Sequence, residues 1–405
     1  MSKKTSILLF STFKRYLFSL VTFSLLIVSC KVVPTTDPGN QPSSKTIVID
    51  GNSTLPTTFK DQGVAVDYTV KTLIEIKDKT ILTVEPGVTI QFEGANSGFF
   101  VKGEAALKMI GTQAKPIILE GTNAQKGTWA GVVYEGGKNI ENSWEYVTVR
   151  HTGGEAALLS DDYYESTISL SNCTFSENTG YGIKLQLTNL KVFSTNTFKN
   201  NDKGSAFVFA DLMGMMDEKS DFKENGKVYV EVGAEKLTQD MTVHKINVPY
   251  RMDNQVQIKS KVTINAGVTI EFLNDASLYI DEYQKNAVLI ANGTQSAPIQ
   301  FLSYLPNNKG VWRGINIQNP HPETKFNYCI IDGSGAGSFF CEDILAGICV
   351  GRKLSCPAIA SRGIVTNCTF RNCEGYGLAY RESDAPTISG NTFTNCSKGD
   401  VLKFK

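Results

Sequence analysis

The chain is written twice, and that duplication limits its fold more than any other feature. E-P-G-V-T-I-Q-F at residues 85–92 recurs as N-A-G-V-T-I-E-F at 265–272, 180 positions later. G-T-Q-A-K-P-I at 111–117 returns as G-T-Q-S-A-P-I at 293–299, and K-G-T-W-A-G at 126–131 as K-G-V-W-R-G at 309–314, with offsets of 182 and 183. W-E-Y-V-T-V at 144–149 matches F-N-Y-C-I-I at 326–331. Beyond that the offset jumps by thirteen: N-C-T-F at 172–175 recurs at 367–370 and N-T-F at 196–198 at 391–393, both 195 on. Two tandem modules result, 45–226 and 227–405.

A shorter period runs inside each module. N-C-T-F-S-E-N at 172–178 is followed 23 residues later by T-N-T-F-K-N-N at 195–201, and the second module repeats this spacing at 367–373 and 390–396. Between these lie short alternating segments such as T-I-S-L, G-I-K-L and V-T-I-Q-F. Alternation means one buried and one wet face, and the flanking Asn and Gly tolerate left-handed corners. Helical periodicity is weak throughout; 212–218 is the best stretch and is short. The pattern predicts an all-β fold, a right-handed parallel β-helix. At 23 residues per rung, residues 45–405 make about sixteen rungs and a rod on the order of 75 Å long. Ile168, Leu170, Phe175 and Ile183 should point inward, with Asn172 and Asn178 at corners. Two β-sandwiches, one per module, are the competing layout, but they require no 23-residue sub-repeat.

The motifs at 248–250, 267–272, 293–299, 310–315 and 391–393, together with their first-module copies, resemble the pectate-lyase-like superfamily of right-handed parallel β-helices. The likeness is to the lipoprotein members from Bacteroidetes-type bacteria and covers nearly the whole chain after its N-terminal segment. It implies the fold. It implies no single activity, because that superfamily holds lyases, hydrolases, esterases and adhesins.

The first residues carry an address. Lys3, Lys4, Lys14 and Arg15 precede an uncharged stretch from Tyr16 to Ser29, too short to span a bilayer comfortably. Cys30 follows directly, in L-L-I-V-S-C, which resembles the lipobox of bacterial lipoproteins. Residues 1–29 then read as a lipoprotein signal peptide, Cys30 as the lipidated residue, and 30–44 as a polar, proline-containing tether. An ordinary signal peptide with an incidental cysteine is the other reading; both export the chain into a disulfide-permissive compartment. By the same resemblance, Lys31 in place of Asp favours the outer membrane, with the lipid as the only membrane contact. The 40 Lys+Arg and 40 Asp+Glu of the full chain become 36 and 40 without residues 1–29, a net charge of −4. That balance argues against a nucleic-acid partner, and a hydrophobic fraction of 41% argues against disorder.

A catalytic constellation is hard to find. Glycoside hydrolysis needs two closely held carboxylates, and Ser160-Asp161-Asp162 is the nearest approach to the polygalacturonase-like pattern. No G-H-G occurs; His151, His244 and His321 are scattered. The Arg-x-Pro-x-x-Arg of pectate lyases is absent. Asp161 and Asp162 read as solvent-exposed loop acids or, alternatively, as catalytic or calcium ligands; no other cofactor is expected. Trp129 and Trp312 occupy one slot in the two modules, which suits a packing element better than a sugar platform.

The modules differ most at the thirteen-residue jump. The first module has E-A-A-L-L-S-D-D-Y-Y-E there, and the second a longer cysteine-bearing excursion. Loops grafted on a repetitive scaffold are where binding is usually built. Asp161, Asp162, Tyr163, Tyr164 and Glu165 form an aromatic-plus-acid patch suited to sugars, with Phe339 and Phe340 as its expected counterpart. Covering a rung edge is the bland alternative. Among the nine cysteines, Cys373 and Cys396 sit one rung apart and are the expected disulfide. Cys173 and Cys368 read as buried thiols, and Cys341, Cys349 and Cys356 as a staple of the excursion, with Cys329 as a further partner. The resulting expectation is an envelope lipoprotein that binds glycans or another surface partner without catalysis. A polysaccharide lyase or hydrolase is the second reading, and a structural or adhesive spacer the third.

Overall fold

Short segments of alternating residues become strands because β-branched and aromatic side chains fit a pleated, half-buried surface. Thr89–Phe92 buries Ile90 and Phe92 and leaves Thr89 and Gln91 outward; its copy Thr269–Phe272 has the same pattern. The structure, a computed structural model, describes residues 45–161, 163–233, 236–280, 283–284, 286–318, 321–338, 343–351 and 363–405. Cys30 and the 30–44 tether therefore lie outside the described residues, as do Asp162, Phe339, Phe340, Cys341 and Cys356.

Strands stack in register into parallel sheets, and the chain winds as a right-handed parallel β-helix. In the first module each rung contributes a strand to an eight-stranded sheet, then to a thirteen-stranded one, then to a six-stranded one. Ile168, Leu170, Phe175 and Ile183 are fully buried in a continuous core running from Ile49 to Tyr380. Asn172 takes a corner at φ 53°. Phenylalanines of successive rungs stack along the axis: Phe175 on Phe198 at 5.4 Å, Phe198 on Phe222 at 5.1 Å, and Phe370 on Phe393 at 5.0 Å.

Both repeated tryptophans are core. Trp129 lies on Phe92 at 4.1 Å and 5°, and Trp312 on Phe272 at 4.1 Å and 6°. Each indole N–H donates to the backbone carbonyl one rung on, Arg150 or Asp332, at 2.8 Å. Two independent copies thus reach one geometry. A buried amide ladder runs beside them: Asn178 Nδ2 donates to Asn201 Oδ1 at 2.7 Å, and Asn201 Nδ2 to Asn225 Oδ1 at 2.8 Å. Such ladders satisfy buried polar groups while tying successive rungs.

The long sheet stacks thirteen strands from Leu73–Ile76 to Thr392–Thr394. Twelve steps thus carry the chain from Leu73 to Thr392, a mean spacing wider than that of the N-x-T-F motifs, so the described rungs are fewer than sixteen. Rung length varies: Val230 to Tyr250 takes 20 residues and Ile330 to Thr369 takes 39. The thirteen-residue jump is itself divided, eight extra residues before strand Ala346–Val350 and five after it. The segment read as weakly helical is partly so: Ala210–Met215 is a 3-10 turn.

The module boundary carries an unexpected step. Thr89–Phe92 belongs to the eight-stranded sheet, whereas Thr269–Phe272 belongs to the long sheet. The long sheet passes through the boundary via Gly204–Phe209, Val230–Gly233 and Tyr250–Met252. The path from the first of these copies to the second therefore spans seven and a third turns, and the second module starts one face later than the first.

Candidate functional site

That step opens a cleft. In the first module the third face ends at strand Thr188–Ser194. One rung later the 3-10 turn Ala210–Met215 stands in place of a strand, with Leu212 and Met213 buried into the core. The strands that resume beyond it, Lys236–Leu237 and Met241–Val243, start two new sheets. The interruption leaves a cleft of about 700 Å³ between residues 186–190, the 3-10 turn and residues 236–244.

Its lining divides by chemistry. Leu187, Leu190, Phe209, Met215 and Met241 supply an apolar floor. The carboxylates are committed: Asp211 accepts from the Thr238 N–H and hydroxyl, each at 2.6 Å, and Asp240 accepts from the Lys261 N–H at 2.8 Å. His244 Nδ1 meets Asn265 Nδ2 at 3.3 Å. Glu165 faces Lys138 at 3.0 Å, both side chains exposed. Gln186, Asn189 and Gln239 bring side-chain amides to the cleft, each with two donors and an acceptor.

The loop singled out from sequence lies at this cleft. Asp161 O accepts from the Leu187 N–H, and Leu187 O accepts from the Ser166 N–H, so the loop stacks directly on the 186–190 wall. Glu165 lines the cleft itself. Tyr163 and Tyr164 project from the loop, 83% and 54% exposed. The role of Asp161 is local: its Oδ1 caps the N–H groups of Tyr163 and Tyr164 at 3.1 and 3.0 Å. Among the described residues no group of three or more His, Cys, Asp or Glu side chains converges as a metal cage.

Residues 338 and 343, which flank the excursion's Phe339 and Phe340, fall between strands Cys329–Asp332 and Ala346–Val350, before the rung's second strand. Tyr163 and Tyr164 fall after the corresponding strand, Ala156–Ser160. Because the second module is turned by one face, Ala156–Ser160 and Cys329–Asp332 are both strands of the long sheet.

A second constellation, which the sequence did not disclose, lies on the outer surface of the long sheet. Tyr181 Oη donates to Glu231 at 2.7 Å; Lys227 Nζ reaches Glu231 at 2.5 Å and Tyr181 Oη at 3.0 Å. Arg251 sits 3.6 Å over the Tyr229 ring and pairs with Glu271. Phe207 packs against Tyr181 at 6.2 Å and Phe209 at 6.4 Å, linking this surface to the cleft. Burial opposes the Lys227 charge, but its bonds to Glu231 and Tyr181 outweigh that and hold the ammonium well above its ordinary 10.5. Burial, then Glu231, pushes the Tyr181 hydroxyl up to about 12. Both groups stay protonated at neutral pH, so neither serves as a general base. Separations of 46 and 50 residues hide the cluster from any local reading; only stacking assembles it.

No curated protein matches the chain, and no solved structure does. The family model of the pectate-lyase like beta helix domain matches residues 57–159, a stretch of the first module that ends just before the Asp161–Glu165 loop.

Proposed function

We propose that the chain is a cell-envelope lipoprotein, anchored to the outer membrane through Cys30, whose β-helix holds a glycan in the cleft at the module boundary without cleaving it. The cleft's composition supports this most directly. An apolar floor beside uncommitted amides suits the alternating C–H faces and hydroxyls of a sugar. Tyr163 and Tyr164 extend the surface with rings that stack on pyranose faces. The neighbouring carboxylates Asp211 and Asp240 already hold internal donors, which leaves no evident acid–base pair for hydrolysis. The anchor rests on the L-L-I-V-S-C sequence and the polar tether that follows it.

The test is a glycan array probed with the soluble body, residues 31–405, followed by calorimetry on the best ligand. The combined variant Gln186→Ala, Asn189→Ala, Gln239→Ala should weaken binding at least about tenfold, the loss of one or two net hydrogen bonds. Tyr163→Ala with Tyr164→Ala should also weaken it. Absence of binding to every glycan sinks the proposal, and binding indifferent to these variants removes it from the cleft. New reducing or unsaturated ends in the bound glycan would establish the lyase or hydrolase reading instead.

A further inference from the structure

The cleft uses none of the cysteines gathered at the C-terminal end. Strands Cys329–Asp332, Thr369–Arg371 and Thr392–Thr394 are successive members of the long sheet, with Ile330 opposite Thr369 and Thr369 opposite Thr392. That register sets Cys329 beside Cys368 at one end of the strands and Cys373 beside Cys396 at the other. Each pair thus faces across one step of the stack, at paired positions of adjacent strands. Stacked strands lie about 4.8 Å apart, inside the roughly 4.4–6.8 Å Cα separation that a disulfide spans.

The first module shows what these slots do. Its counterparts of Cys373 and Cys396, at the 195-residue offset, are Asn178 and Asn201, joined across the rungs by the 2.7 Å amide bond of the ladder. Even the neighbouring donor is kept: Thr152 Oγ1 donates to Asn178, and Ser334 Oγ donates to Cys373 at 3.3 Å. The counterpart of the other pair is Val147 beside Cys173, which cannot be cross-linked. Among the described residues, a cysteine thus faces a cysteine in adjacent strands of the long sheet only in the second module. There strand Thr392–Thr394 is the last described member of the long sheet and pairs with Thr369–Arg371.

We propose that Cys329–Cys368 and Cys373–Cys396 are two oxidative cross-linking sites that clamp strand Thr369–Arg371 to the rung before it at one end and to the rung after it at the other. The first pair differs from the sequence expectation, which left Cys368 a lone thiol and turned Cys329 towards the excursion. Oxidation starts at Cys396, the only partly exposed member of the four. The neighbouring Cys373 thiol brings its pKa down to about 7 against the effect of burial, so it supplies the thiolate. That thiolate attacks one sulfur of a disulfide oxidant RS–SR and expels RS⁻, forming a mixed disulfide. Cys373 then loses its proton, attacks the Cys396 sulfur and expels the second RS⁻. Two electrons pass to RS–SR and two protons complete two RSH. Cys329 and Cys368 are both buried, so their bond forms more slowly, by the same exchange when the end of the rod opens.

The experiment exposes the reduced full-length protein to glutathione disulfide, quenches it by alkylation at intervals, and maps tryptic peptides. Peptide 372–381 should become linked to 382–398 first, and 363–371 to 326–352 later. Peptide 326–352 also carries Cys341 and Cys349, so Cys329→Ser must abolish the second link while leaving the first. Thermolysin cleavage near the C-terminus should slow at least several-fold on oxidation and recover with dithiothreitol. Four alkylated thiols after prolonged oxidation overturn the proposal, as does a link between 363–371 and 372–381, or a second link that survives Cys329→Ser.

Discussion

Replacing Trp312 by Ala separates a packing role from a recognition role. The indole is fully buried, lies 4.1 Å from the Phe272 ring and donates 2.8 Å to the Asp332 carbonyl. Removing a buried Trp side chain costs about 3–5 kcal/mol through lost transfer energy and the cavity left behind. The Asp332 carbonyl loses its partner as well, adding about 1–2 kcal/mol. Trp312→Phe keeps much of the ring and loses only the N–H and part of the volume, so about 2 kcal/mol is expected. Because Trp129 repeats the geometry to within one degree, Trp129→Ala should cost the same within about 1 kcal/mol. Urea unfolding followed by circular dichroism gives these differences. If Trp312→Ala unfolds within about 1 kcal/mol of the parent while glycan binding disappears, the packing argument is wrong and the tryptophan is a ligand platform.

Asn201→Ala removes the middle of the amide ladder and leaves Asn178 Nδ2 without its acceptor inside the rod, while Asn225 Oδ1 keeps the Asn201 N–H; about 1–3 kcal/mol of lost stability is expected in the same urea assay. Gly226→Ala places a Cβ against the Asp202 backbone carbonyl of the preceding rung, which cannot yield without opening the stack; a clear loss of melting temperature should result, and Gly51→Ala, with open space around it, should have little effect. Alkaline pH should destabilise the body. The folded Lys227 pKa is raised above 10.5, so its stabilisation is complete below that value and is lost as pH rises through the folded one. Tyr181, raised from 10.0 to about 12, also favours folding less once the unfolded tyrosine ionises above 10. The urea midpoint should therefore fall from about pH 9 to about pH 11, and Tyr181→Phe should flatten that fall; an unchanged slope would remove this cluster as its source.

The sites differ in how far they could be read in advance. The tyrosine loop was legible because two adjacent exposed aromatics beside acids stand out within a repeat. Its contact with a cleft was not, since Gln186, Asn189 and Gln239 belong to ordinary corner sequences. The one trace of that cleft was 212–218, the segment that breaks strand alternation. Asp161 read as a loop acid, with catalysis or calcium binding as the alternative, and its Oδ1 caps its own turn.

Sequence alone determined what depends on short range. Period-two alternation sets which side chains enter the core, Asn and Gly mark corners, and duplication implies two alike modules, down to both buried tryptophans. Which strand stacks on which face depends on the summed length of every corner between the two copies. One extra third of a turn turns the second module by a whole face without altering any motif. The cleft, the Tyr181–Lys227–Glu231 cluster and the Cys329–Cys368 pairing all depend on rung-to-rung stacking, because their members meet through space and not along the chain.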